Sequence, residues 1–476
     1  MGGFFGVVSK KECTNFVFYG TDYHSHLGTR RGGMAVTSED GSINSTIHDI
    51  SSVQFRAKFE TDLNKLKGNC GIGVISDYDD QPLTIHSRLG TYSIISVGKI
   101  NNLKELVAES FNDHHSGHFL EMSGGIINPT EVIATLINQK SSFLEGIQYA
   151  MSKIKGSCSL LVMSQNSLYA ARDRYGRTPV FIGKSDDGYA VTMEDAAFLN
   201  MGFRCIKELG SGQIIKLTAD SMTELAPAQK EMQICAFLWV YYGYPSSNYE
   251  GQNSEVVRNR NGIIMHENGP KPPVDYVCGV PDSGVGHAIG YSNVAGAPYG
   301  RALIKYTPTW ARSFMPSEQC HRDLVAKMKL IPVEELIKNK KLLFCDDSIV
   351  RGTQLKNIIH RLRTIGATEV HLLSACPPLL YGCPYLNFSR AKSDFDLITR
   401  RVIRELEPDN PNPDIDSYQD PSSEKYQKMV ERIRQIIGAS SLEFQTLQGL
   451  LKAIDVDPQK ICTYCWTGKD PYNQKE

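Results

Sequence analysis

The segment LLFCDDSIVRGT (Leu342 to Thr353) sets two adjacent carboxylates, Asp346 and Asp347, at the end of an apolar run. Ser348, Arg351, Gly352 and Thr353 follow, and then a helical pattern begins. Backbone N–H groups and hydroxyls at a helix N-terminus form an anion site, and Gly352 permits close backbone approach. The two acids suit the holding of sugar hydroxyls and the steering of a hydrated magnesium ion. Two adjacent acids alone would read as a solvated turn with a helix cap. The strand before them and the helix after them point instead to a phosphate-bearing ligand at the carboxyl end of a parallel strand.

A second segment has the same architecture. VPDSG (Val280 to Gly284) follows an apolar run and precedes a helix. It lacks the lysine of a P-loop and the glycine spacing of a dinucleotide fold. Asp282, Ser283, Gly284 and the neighbouring amides could hold pyrophosphate, with Ser283 near the metal. A third segment, RSFMPSEQCHRDLVAKMKL, offers Arg312, Arg322, Lys327 and Lys329 around a proline-containing loop. From charge alone it is a solvated basic surface. Beside two phosphate loops it reads as a lid that closes over the ligand and excludes water.

Positioning these loops requires a sheet. Asp275 to Val280 and Lys341 to Cys345 read as buried strands. In QLKNIIHRLRTIGA, Leu355, Ile358, Ile359 and Leu362 share one helical face and Gly366 ends the helix. Glu369 to Ser374 is the next strand, so the unit is βαβ with a parallel sheet. EPDNPNPD (Glu407 to Asp414) is a loop, and two amphipathic helices follow. The first half differs: short β-type runs such as Tyr92 to Val97, Ser159 to Met163 and Tyr189 to Thr192 alternate with helical patterns such as Glu131 to Gln139. That is the pattern of an α+β layered domain.

The remaining composition excludes several classes. The formal net charge is -1 over 476 residues, which gives no bulk attraction to nucleic acid or membrane. No apolar run approaches the roughly 20 residues of a membrane span, and MGGFFGVVSKK has no basic region before its apolar stretch. The expectation is a two-domain cytoplasmic protein with reduced cysteines. Cys158, Cys205, Cys278 and Cys376 read as small buried apolar residues.

LLFCDDSIVRGT resembles the 5-phosphoribosyl-1-pyrophosphate (PRPP) loop of type I phosphoribosyltransferases. With GNCGIG, YAARDRYGRTP, ELGSGQI, VYYGYPSS, VPDSG, RSFMP and CTYCWTG, the chain resembles the glutamine PRPP amidotransferase family along nearly its whole length. The resemblance implies an Ntn-hydrolase-like αββα sandwich over residues 1–230, of the class II glutamine amidotransferase type. It implies a type I phosphoribosyltransferase α/β parallel sheet over residues 231–476. The implied reaction displaces pyrophosphate from PRPP by ammonia to give 5-phosphoribosylamine for purine synthesis. Arg312, Lys329, Asp346 and Asp347 would be the catalytic groups, with Ser283, Asp346 and Asp347 at magnesium. Purine nucleotide effectors and a homo-oligomer are further implications.

Members of that family that carry a 4Fe–4S cluster place one cysteine before VYYGYP, one after a Pro-Pro segment and two in a terminal CxxCxTG. The matching residues are Cys235, Cys383, Cys462 and Cys465. Four thiolates are what such a cluster uses; zinc with four thiolates is the physical rival.

The first half departs from the family's catalytic pattern. A working glutaminase exposes an N-terminal cysteine whose thiol attacks the amide, and here Gly2 stands at that position. VISD puts Ser76 where an arginine binds the glutamine carboxylate. SVGK puts Val97 in place of the oxyanion-hole asparagine, and NPTEV puts Pro129 where an aspartate holds the amino group. Cys13 is followed by Thr-Asn-Phe rather than by the strand a nucleophile would need. The family's connection before the lid is replaced by YTPTWAR (Tyr306 to Arg312), one residue longer. The expectation is an ammonia-dependent transferase without glutaminase activity; the alternative is a non-catalytic PRPP or nucleotide sensor.

Overall fold

The computed structural model describes residues 2–38, 40–112, 118–119, 121–122, 126–306, 329–386 and 396–472. Arg312, Arg322 and Lys327 lie outside the described residues. The chain forms two compact units, dividing between Ile234 and Cys235, with residues 384–386 returning to the first.

The first unit is built on two antiparallel sheets. One has seven strands, in the order Arg204–Glu208, Phe181–Lys184, Gly188–Thr192, Gly3–Ser9, Cys70–Ser76, Arg31–Thr37, Ile43–Asp49. The other has six: Met222–Ala226, Ile214–Leu217, Ser167–Ala171, Gly156–Ser164, Gly90–Ile100, Leu83–Ser87. Strand alternation assigns the faces. Ile95 and Val97 pack with Leu161, Met163, Phe4, Ile72 and Val74 in one core, which lies between the sheets. Tyr92, Ile94, Leu160 and Val162 belong to a second core with Val132, Ile133 and Ile147 of the helices Pro129–Asn138 and Phe143–Lys153. The helix Thr14–Asp22 covers the other sheet. The layers are therefore helix, sheet, sheet, helix.

The second unit carries a parallel sheet in the order Tyr276–Gly279, Lys341–Asp346, Glu369–Ser374, Ser441–Phe444. Leu342 and Phe344 face a core with Leu355, Ile358, Ile359 and Leu362 of the helix Thr353–Ile365. Leu343 and Cys345 face the opposite side, against Met265, Ala288 and Tyr291. Gly366 closes the helix in the left-handed conformation, φ +113°, as its position after the last apolar residue predicts.

Three features differ from the sequence reading. Cys205 is exposed rather than buried, because it lies on the edge strand Arg204–Glu208; Cys158, Cys278 and Cys376 are buried. The helix Ile398–Leu406 precedes the Glu407 loop and has Ile398, Thr399, Val402 and Ile403 on its buried face. A fourth strand, Ser441–Phe444, separates the two expected helices, Glu424–Ile437 and Leu447–Ile454. Its four residues alternate, with Leu442 and Phe444 buried, but a run so short carries little periodicity.

Candidate active site: two loops at the carboxyl ends of parallel strands

The strand Lys341–Asp346 delivers its acids to the carboxyl edge of the parallel sheet. Neighbouring loops are sewn to that edge by main-chain bonds: Val280 N–H donates to Cys345 O (2.9 Å) and Ala375 N–H to Asp346 O (2.8 Å). The Val280–Gly284 loop rests directly on the strand end. A Cβ at Gly284 would stand 2.2 Å from the Cys345 carbonyl oxygen, so only glycine permits this approach.

The two loops meet at Asp347. Ser283 Oγ donates to Asp347 Oδ1 (2.5 Å), and Ser348 Oγ donates to Asp347 Oδ2 (2.5 Å). Asp347 N–H donates to Asp346 Oδ1 (3.0 Å). Burial pushes both carboxyls above the usual carboxylate range, Asp346 further because Asp347 adds like charge. The two serines, and Arg258, pull Asp347 back down. A divalent cation would supply the missing positive charge. Magnesium takes one or two carboxylates and completes its shell with water and substrate phosphates, and the donor set Asp346, Asp347 and Ser283 fits that.

Around this centre, Gly352 takes φ +73° and leads into the helix Thr353–Ile365. Arg351 and Thr353 are exposed there, so the helix N-terminus faces solvent with its N–H groups available to an anion. Arg351 pairs with Asp396 (3.5 Å), and its carbonyl accepts from Arg401 (2.7 Å). The strands Leu303–Lys305 and Leu330–Pro332 pair antiparallel. Tyr306 N–H donates to Lys329 O (3.0 Å), so the two ends of the segment carrying the basic residues are fastened together. Lys329 stands at this foot.

Two residues escaped the sequence reading. Lys305 forms an ion pair with Asp282, countering a carboxylate that would otherwise repel a phosphate in the same loop. Arg258 is fully buried, donating to the carbonyls of Trp239 (2.8 Å), Tyr241 (3.0 Å) and Gly243 (2.8 Å). It ties the VYYGYP segment to the helix Ser254–Asn268 and lends positive charge to Asp347. An arginine on a buried helical face was the available signal.

The four candidate cluster cysteines also come together. The Cys465 thiol is pushed well above its usual range, first by its hydrogen bond with Cys383, then by burial and the nearby Cys383, Cys235 and Cys462. Leu380 and Tyr381 N–H donate to Cys465 O (3.0 and 3.1 Å), and Phe237 stacks on Trp466 at 5.2 Å. Among the described residues no group of three or more His, Cys, Asp or Glu side chains is placed to hold a single metal ion. Four thiolates are the donor set of a 4Fe–4S cluster or of zinc.

In the first unit, the four positions that depart from the expected glutaminase pattern fall into two pairs, Val97 with Pro129 and Gly2 beside Ser76. Val97 and Pro129 line a cavity of about 650 Å³ together with Asp77, Tyr78 and Asp79, which follow Ser76. Ser76 Oγ accepts from Tyr78 N–H (3.2 Å) and Asp79 N–H (3.1 Å), folding that turn on itself. At Gly2, a Cβ would stand 2.4 Å from the Ile75 carbonyl oxygen. Cys13 is buried at the start of the helix Thr14–Asp22, and burial raises its thiol well above the usual range.

With this geometry the relatives can be compared. Residues 70–200 match the glutamine amidotransferase domain model. The amidophosphoribosyltransferase of Methanocaldococcus jannaschii is 30% identical, covering 99% of this chain and 98% of that protein. The chain belongs to the amidophosphoribosyltransferase family. The Bacillus subtilis member is 30% identical over 98% of this chain and 94% of its own. The solved structure of the B. subtilis glutamine PRPP amidotransferase, complexed with ADP and GMP, superimposes with a TM-score of 0.83 at 28% identity, covering 98% of this chain and 97% of that one. A second solved structure, described as the allosteric regulatory enzyme of purine biosynthesis, gives 0.84 with 98% and 96% covered. The two-domain family fold, an Ntn-hydrolase sandwich and a phosphoribosyltransferase sheet, is thus that of this chain.

Proposed function

We propose that the protein forms 5-phosphoribosylamine from PRPP and free ammonia in purine synthesis and does not hydrolyse glutamine. The observation that carries this is the Ser283–Asp347 hydrogen bond, which joins the two phosphate loops over a buried acid pair. PRPP would place its pyrophosphate on the Asp282–Gly284 amides and Ser283, and its 5-phosphate on Ser348, Arg351, Gly352 and Thr353 at the helix N-terminus. Magnesium, held by Asp346 and Asp347 beside Ser283, would neutralise charge on the leaving pyrophosphate. Asp346 and Asp347 also orient the ribose hydroxyls. Arg312 and Lys329 would close over the phosphates and exclude water. Ammonia is itself a nucleophile, so the site needs orientation and charge stabilisation more than a strong base.

The sandwich supports the second half of the reading. No nucleophile stands at Gly2, and Ser76, Val97 and Pro129 lack the carboxylate-binding, oxyanion and amine-binding groups. Cys235, Cys383, Cys462 and Cys465 are proposed to hold a 4Fe–4S cluster of structural role. Purine nucleotide control is proposed because the matched solved structures are described with ADP and GMP and as allosteric; a cytoplasmic location and a homo-oligomer are proposed from the family resemblance.

The test is pyrophosphate release from PRPP and magnesium with ammonium, with glutamine and with neither. Release with ammonium alone supports the proposal. Glutamine-dependent release refutes the loss of glutaminase. No release under any condition supports the alternative, a PRPP or nucleotide sensor, which the degenerate sandwich favours.

A further inference from the structure

A run of buried polar side chains, Gln445, Asn261 and His287, crosses the second unit. Its hydrogen bonds run in one direction, and one main-chain group sets it. Thr446 N–H donates to Gln445 Oε1 (2.8 Å). The other amide atom of Gln445, Nε2, is thereby turned to Asn261 and donates to its Oδ1 (2.9 Å). That leaves Asn261 Nδ2 with two hydrogens and two strong acceptors, the Ala375 carbonyl oxygen (2.8 Å) and His287 Nδ1 (3.2 Å). An amide nitrogen only donates, so His287 Nδ1 carries no proton. The ring is neutral, because burial first, and then the positive charge of Arg258, lower its pKa to about 3. Its proton therefore sits on Nε2, which donates to the Val240 carbonyl oxygen (3.3 Å).

His287 stands in the first turn of the helix Val285–Ala295, directly after the Val280–Gly284 loop. Ala288 N–H donates to Gly284 O (3.0 Å) and Gly284 N–H to Val280 O (2.9 Å), so loop and first turn move as one piece. Gly262 sets how close this helix comes to the helix Ser254–Asn268, since a Cβ there would stand 2.0 Å from the His287 carbonyl oxygen. Contact of that kind fixes a distance but has no direction. Rotation and sliding are fixed by directional bonds, and His287 supplies two. One goes to Asn261, whose same nitrogen holds Ala375, the residue whose N–H donates to Asp346 O (2.8 Å). The other goes to Val240, between the Trp239 and Tyr241 carbonyls that Arg258 holds.

We infer that His287 is a positioning residue for PRPP binding: as the neutral Nε2–H tautomer it sets the register of the helix Val285–Ala295, and so the point at which Ser283 meets Asp347. It acts through Ser283 rather than on the ligand, and the inference rests on the PRPP reading of these loops. The contact it sets is a short one, Ser283 Oγ to Asp347 Oδ1 at 2.5 Å, and a misplacement of about 1 Å at such a contact can cost about 10²-fold. A residue that only filled the core would lower the Tm and leave the ligand affinity of the folded protein as it is.

The experiment joins titration calorimetry and nitrogen NMR on the full chain. His287→Asn keeps an acceptor near Nδ1 and removes the donor to Val240; His287→Gln does the reverse. Each, checked as folded by circular dichroism, is expected to weaken binding of PRPP with magnesium about 10-fold, the loss of one buried hydrogen bond. Ser283→Ala should cost less affinity in the His287→Asn background than in the parent, because the two residues act on one contact. In histidine-labelled parent, the resonances missing from His287→Asn should show a bare Nδ1 and a protonated Nε2 throughout neutral pH. Parent-like PRPP affinity in both folded variants overturns the inference, as does a Ser283→Ala loss of the same factor in both backgrounds, or a proton on Nδ1. A parent that binds no PRPP overturns the PRPP reading and this inference with it, and that outcome is distinct from the other three, in which the parent binds.

Discussion

Restoring cysteine at position 2 is the sharpest test of the sandwich. In Gly2→Cys the new Cβ would meet the Ile75 carbonyl oxygen at 2.4 Å and the Ser76 Cα at 3.4 Å. The first distance is shorter than a carbon can approach a backbone oxygen, and neither partner is a flexible chain end. The strand Gly3–Ser9 pairs with Cys70–Ser76 from Gly3↔Ile75 onward, so relief requires fraying the first pairs of that ladder. Overpacking of this kind costs about 1–3 kcal/mol. Val97 also stands where the family's oxyanion donor is expected. One such donor is worth about 10²–10³ in kcat, and the substrate-holding groups at Ser76 and Pro129 are missing as well. The expected result is a lower Tm and no glutamate release from glutamine above the parent, measured by coupled glutamate assay after mass spectrometry confirms the exposed cysteine. Glutamine hydrolysis at a family-like rate in this single variant would refute the reasoning, because it would mean that the other three positions do not matter.

Removing the hydroxyl in Ser283→Ala should lower kcat/KM for PRPP about 10- to 100-fold, the loss of one hydrogen bond to a charged group of about 1.5–3 kcal/mol, read by pyrophosphate release. Gly352→Ala forces a side chain into φ +73°, with its Cβ 2.5 Å from Ile398 Cδ1; scanning calorimetry should show destabilisation of about 1–2 kcal/mol or more. Cys462→Ser should abolish stoichiometric iron and sulfide in anaerobically purified protein, while stoichiometric zinc without iron in the parent would overturn the cluster. Acid should destabilise both units. Burial depresses His24 to about 4 and His287 to about 3, so between the unfolded value near 6.5 and these values the unfolded chain binds the extra protons. Stability contributed by their neutral forms is full above pH 6.5 and is lost as pH falls toward 4 for His24 and toward 3 for His287. It is on the order of 3 kcal/mol for His24 and 5 kcal/mol for His287, and denaturant midpoints across that range should track it.

Local patterning was enough to read the build of single loops. Asp346 to Thr353 was legible because strand, acid pair, glycine and helix are adjacent in the chain, and each acts through groups a few residues apart. The helix Thr353–Ile365 was legible for the same reason: four apolar residues at helical spacing determine its buried face. The departures at Gly2, Ser76, Val97 and Pro129 could be read as residue types. Tertiary structure decided everything that depends on distance across the chain. It set Ser283 on Asp347, brought the buried Arg258 to bear on the acid pair, placed Cys235 and Cys383 beside Cys462 and Cys465, and added Ser441–Phe444 as the fourth strand. It also brought Val97 and Pro129 to the wall of one cavity. These results follow from which faces pack together, and packing is a property of the assembled layers, because a residue's partner there is chosen by burial and shape rather than by its neighbours in sequence.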